Sequence, residues 1–181
     1  FVKLPQAPLT VSATFGTTGN SGTVSFGYVK AWYIRQFSNG EYRAVNVAAF
    51  HEDSGEWWFL DGSPFRQDGT ILYLHPVRAL ANWHRHIQLA NQSLDQLEAP
   101  TERKIIVGLQ DARGALWEHR TEKKFRKASV ELEEQRSSWT AVDTSLFLRE
   151  AYNEVRNGFS MTDLTQEQFD ELLQKSYAYA G

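Results

Sequence analysis

Residues 22–60 read GTVSFGYVKAWYIRQFSNGEYRAVNVAAFHEDSGEWWFL. Three runs rich in aromatic and β-branched residues are separated by turn signals, the pattern of an antiparallel meander. Asn39-Gly40 is the strongest signal, because both central residues of a type I′ turn need positive φ and this pair tolerates it best. A two-residue loop there predicts a register in which Phe37 faces Tyr42, Ile34 faces Val45 and Trp32 faces Val47. Alternation then sorts the side chains onto two faces. Val24, Phe26, Tyr28, Trp32, Ile34, Val45 and Val47 form an apolar face, interrupted only by Lys30, and are the expected core. Val29, Ala31, Tyr33, Arg35 and Phe37 share the other face with Tyr42, Ala44, Asn46, Ala48 and Phe50. A four-residue turn at 52–55 adds Trp57 and Phe59 to this mixed face and Trp58 to the core face.

Upstream, residues 1–8 hold two prolines and predict an extended arm, and Leu9 to Phe15 alternates as a strand. Residues 16–22 are glycine-rich, but they lack the Lys-Ser/Thr ending of a phosphate-binding loop and the spacing of a dinucleotide fingerprint, so they predict a linker. Downstream, Asp68-Gly69 opens a strand over 70–74, which makes about five strands in all, enough for a small barrel or a curved sheet. Pro76 suits a first helical turn. Leu80, Trp83, Ile87, Ala90, Leu94 and Leu97 then recur at steps of three and four, predicting an amphipathic helix over 77–97 that covers a face of the sheet. Residues 104–110, KIIVGLQ, predict a buried strand. Residues 116–134 fit a helix through Phe125, Ala128 and Leu132, or a strand through Ala128, Val130 and Leu132. The abundance of Glu, Lys and Arg favours the helix. Two more helices are predicted, over 146–156, starting near Asp143 or Thr144 and stopping at Asn157-Gly158, and over 166–177, opened by a capping box of Thr165 and Gln168. The expected fold is therefore α+β: an N-terminal curved antiparallel sheet or small barrel, one long helix packed on it, and a helical C-terminal segment. The expected organisation is a single domain over 1–181, with sheet and long helix at 9–110 and a mainly helical part at 115–181.

Composition narrows the function classes. With 181 residues the chain can bury a proper core. It has no Cys, which excludes disulfides, thiolate chemistry and Cys-ligated zinc. No apolar run approaches the ~20 residues needed to cross a bilayer. No signal peptide is visible, so a soluble protein, cytoplasmic rather than secreted, is expected. The chain opens on Phe1 rather than Met, which leaves room for a preceding segment. The net charge of −3 is unevenly spread: residues 76–127 carry 10 Lys/Arg against 6 Asp/Glu, and residues 128–181 carry 4 against 10. A basic middle beside an acidic end suits head-to-tail assembly, or an anionic partner on one face.

The histidines do not form a metal motif. His84 and His86 in WHRH lie two residues apart, about 200° of helical rotation, and cannot share an ion. His51-Glu52-Asp53 pairs an imidazole with carboxylates, but adjacent strand residues point apart and Asp-Ser-Gly is ordinary turn chemistry. No cofactor, metal or catalytic motif is expected. Two features point to binding instead. The basic run of Arg113, Arg120, Lys123, Lys124, Arg126 and Lys127 surrounds Phe125: cations release phosphate counterions and an aromatic ring stacks on a base. The alternative is a solvated helix face paired with Glu118 and Glu122. Tyr33, Arg35, Phe37, Tyr42, Trp57 and Phe59 would together make an aromatic platform with a cationic edge, unless helices cover it as core. The expected function is a non-catalytic binding or assembly subunit with a nucleic-acid partner. The rivals are a protein adaptor or homo-oligomer acting through the arm and the acidic last third, and a small enzyme or small-molecule binder with a pocket near His51. No membrane partner is expected.

Overall fold

The structure, a computed structural model, describes residues 9–15, 20–26, 28–36, 42–51, 56–96, 98–118 and 120–179. The chain is α+β, and it divides into two compact units, residues 1–63 and 64–181. The N-terminal unit is built of antiparallel strands. β1 (Leu9–Phe15) pairs along its whole length with β2 (Asn20–Phe26), from Leu9 opposite Phe26 to Phe15 opposite Asn20. β3 (Tyr28–Gln36), β4 (Tyr42–His51) and β5 (Glu56–Asp61) form a three-stranded meander in that order. No closed barrel is hydrogen-bonded among the described residues.

The β3–β4 register differs from the expected one. Asn39 and Gly40 lie outside the described residues, as do residues 1–8, Phe37 and 52–55. The ladder beside that turn pairs Gln36 with Tyr42, Arg35 with Arg43 and Ile34 with Ala44, one residue away from the predicted partners. Five residues separate the paired Gln36 and Tyr42, whereas the predicted register needs an even number. Two compensating irregularities follow, where Tyr33 meets Asn46 between Ala31–Val47 and Ile34–Ala44. Only Tyr33–Asn46 keeps the predicted register, so the sorting of Val45 and Val47 with Ile34 and Trp32 does not hold. The β4–β5 pairing does follow the four-residue spacing: Phe50 faces Trp57, Ala49 faces Trp58 and Ala48 faces Phe59.

The second unit opens with a hairpin of β6 (Phe65–Asp68) and β7 (Ile71–Leu74) around Gly69-Thr70. Gly69 has φ +57°, as the first position of a tight hairpin loop requires. α1 (Pro76–Gln96) follows, within one residue of prediction at either end. Leu80 and Ile87 of its stripe are buried, whereas Trp83, Ala90 and Leu94 are half-buried. The helix belongs to this second unit, where it packs with the two C-terminal helices.

β8 (Arg103–Leu109) pairs antiparallel with β11 (Val130–Arg136), while β9 (Leu116–Trp117) runs parallel to β7 and antiparallel to β10 (Arg120–Lys124). This gives a four-stranded sheet in the order β10-β9-β7-β6 beside a two-stranded one. The helix expected over 116–134 is therefore replaced by strands. Val130–Arg136 alternates buried and exposed positions, a period of two that no helix face shares. Helix propensity is worth at most ~0.7 kcal/mol per residue, whereas burying one large apolar side chain is worth about 1.5–3 kcal/mol, so pairing and burial outweigh composition. β8 is half-buried rather than buried, with Ile106 52% exposed.

α2 (Ala141–Gly158) starts five residues before the predicted 146, because Thr140 caps it through a capping box with Asp143. α3 (Gln166–Ser176) starts at the predicted Thr165–Gln168 box and ends in a 3-10 turn, Tyr177–Tyr179. The core between these layers is strongly aromatic. Phe159 sits 4.9 Å from Phe125 and 5.1 Å from Trp117 (ring centroids). Trp117 continues to Tyr152, and Tyr152 to Phe169. This train ties β9, the segment after β10, α2 and α3 into one core.

Candidate nucleic-acid interface

The basic run folds as an edge strand and a turn. Arg120, Lys123 and Lys124 lie on β10, the outer strand of its sheet, with Arg120 opposite Trp117 and Lys124 opposite Leu116 across a bulge. Charged residues on such a strand also serve to block edge-to-edge aggregation. After β10 the chain crosses a second segment. Phe125 donates its N–H to Ala115 O (2.8 Å) and accepts from Gly114 N (2.9 Å), while Ala112 N donates to Ala128 O (3.1 Å). Arg113 sits between these two bridges, so it lies across from Arg126 and Lys127. Arg126 N is itself tied to Gly158 O, at the end of α2 (2.9 Å). Backbone hydrogen bonds thus gather Arg113, Lys124, Arg126 and Lys127 on a fixed frame.

Arg113, Lys124 and Arg126 are exposed and carry no ion pair among the described residues. Lys127 Nζ is held by Glu154 Oε2 at 2.9 Å. Lys123 is half-buried. Nothing local in the sequence announces Glu154 as a partner of Lys127, since the two are 27 residues apart and meet only because α2 ends at this turn.

Phe125 does not play the role expected of it. It is 1% exposed and locked against Phe159 and Gly158, so no base can stack on it. For the expected platform residues the structure gives backbone register only. Arg35, opposite Arg43, lies next to the Gln36–Tyr42 pair at one end of the hairpin; Tyr33 is opposite Asn46; Trp57 is opposite Phe50. Tyr42 and Phe50 are eight positions apart on β4, roughly 26 Å at 3.3 Å per residue. Phe37 lies outside the described residues.

His75 and His84 have structural partners. His75 immediately precedes α1 and acts as its N-terminal cap, Nδ1 accepting from Arg78 N (3.3 Å) while Nε2 faces Glu118 Oε2 (3.3 Å). The signal for this role was Pro76 at the first helical position. His84 packs against Tyr177 at 5.2 Å, and burial holds its pKa below the usual imidazole value. No group of three or more potential metal ligands occurs among the described residues, and none of their helices is long and apolar enough to cross a membrane. A groove of about 370 Å³ lies along α2, lined by Leu132, Glu150, Asn153, Glu154 and Asp163 among others. Its central amide is already committed, since Asn153 accepts from Leu164 N (2.8 Å) and donates to Leu164 O (3.3 Å). No family model, curated protein or solved structure matches this chain.

Proposed function

We propose that the protein is a non-catalytic binding subunit whose partner is a nucleic acid, engaged at the turn cluster of Arg113, Lys124 and Arg126. The observation that carries this function is that three exposed cations, without ion pairs among the described residues, sit on two segments joined by backbone hydrogen bonds. A rigid group of unpaired cations gains most from phosphate, because binding releases condensed counterions. Neutralising three phosphates gives a slope of log affinity against log salt of about −2.7, hence roughly a 40-fold loss between 50 and 200 mM salt. Fluorescence anisotropy with a labelled 20-mer across that range tests it. The proposal is abandoned if no binding appears at low salt, or if binding is indifferent to Arg113→Glu and Arg126→Glu.

A protein partner is the second reading, favoured by Ile106 at 52% exposure on β8 and Val142 at 68% at the start of α2. An assembly role predicts a mass that rises with concentration, and Ile106→Lys would reverse that rise.

A further inference from the structure

Resting on the nucleic-acid function proposed above, we infer that the cluster takes the sugar–phosphate backbone of a duplex, without reading base sequence or stacking on bases. Single-strand binders combine a cationic track with aromatic rings on which bases stack, and stacking is what lets a flexible strand compete with a duplex. At this cluster the aromatic residue in the run is withdrawn. Phe125 is 1% exposed, its ring wedged against Phe159 at 4.9 Å and against Gly158, while its own N–H and C=O are bonded to Ala115 and Gly114. Releasing it would open the aromatic core, so it is not a ring that swings out to meet a ligand. Cationic side chains remain, on a backbone held by Ala112–Ala128, Gly114–Phe125 and Arg126–Gly158 bonds. Such a surface gains from charge density, and a duplex presents one charge per about 1.7 Å of axis, twice the linear density of either strand. Base edges in a groove are read by side chains on an inserted helix or ribbon, and the cluster lies on a turn and an edge strand instead.

Anisotropy titrations of the full chain test this, using a 20-base-pair DNA duplex, the RNA duplex of the same sequence, each DNA strand alone, and a second duplex of inverted base composition. The expected result is binding of both duplexes several-fold tighter than either single strand, with less than about twofold change on altering the sequence and a salt slope near −2.7. Lys124→Gln with Arg126→Gln should bring that slope to about −0.9, and Arg113→Gln, on the other segment, should lower it by about 0.9 alone. Tighter binding to a single strand, or strong dependence on base composition, overturns the inference while leaving the nucleic-acid function standing. Absence of binding to any of the probes removes both.

Discussion

Gly158 and Phe125 show how little latitude the second unit leaves at single positions. A Cβ at Gly158 would land inside the Phe125 ring, and that ring cannot retreat because Phe159 backs it. Gly158→Ala should therefore destabilise the protein by about 1–3 kcal/mol, the usual cost of overpacking, measured by urea unfolding. Gly108→Ala meets a harder obstacle, the Val130 carbonyl across the β8–β11 ladder, and should weaken that pair more than an ordinary strand substitution. Asp143 has a different kind of constraint. Its carboxylate accepts from the Thr140 hydroxyl and the Thr140 N–H, with Arg136 Nη1 at 2.7 Å, and these hold its pKa below the usual 3.8. A depressed folded-state pKa means stabilisation that is present above the ordinary value and lost as pH falls through the folded one. Asp143→Asn should thus flatten the loss of stability below pH 3.8, visible in unfolding midpoints taken on either side of that value.

At the scale of elements, Arg103 joins β8 to the end of α1. Its guanidinium donates to Asn91 O and Oδ1 and to Asp95 Oδ1, and Nε donates to Pro100 O, with the side chain 11% exposed. Cationic groups at a helix C-terminus also complement its dipole. Arg103→Ala should cost roughly 1–2 kcal/mol, mainly through the part-buried Asn91 contacts, since water reaches Asp95, and Arg103→Lys should recover only part, because a point charge cannot span this fork. On the proposed function, Glu154 on α2 is expected to affect binding more than stability. The Lys127–Glu154 pair is half exposed on both sides, the kind worth at most about 1 kcal/mol, so phosphate competes with it directly. Glu154→Gln should tighten duplex binding about two- to fivefold at low salt and leave the unfolding midpoint nearly unchanged.

For the whole molecule, the division at residue 63 matters more than the count of elements. The described buried cluster, from Leu74 to Leu173, lies entirely within residues 64–181 and is closed by the aromatic train. A chain of residues 64–181 should therefore unfold cooperatively by itself and keep the duplex affinity and salt slope of the full protein. Loss of either on removing residues 1–63 would show that the unit or its interface needs the N-terminal strands.

Local chemistry in the amino-acid sequence determined where most helices begin and end, because caps, Pro76 and Asn157-Gly158 act within a turn of the residues they govern. It also settled the β4–β5 pairing, which follows from a four-residue spacing. The tertiary structure alone decided the strands over 116–136, where a parallel partner 43 residues away for β9 and the antiparallel β8 for β11 outweigh the helix propensity of Glu, Lys and Arg. It likewise decided the one-residue shift of β3 against β4, which is already present at Gln36–Tyr42 and which the two compensating irregularities around Tyr33 leave unchanged. Which of the described basic residues lack an ion pair among the described residues was decided there too. The pairing of Lys127 with Glu154 and the burial of Phe125 arise where α2 meets the turn, and that meeting is a property of packing over long range, not of neighbouring residues.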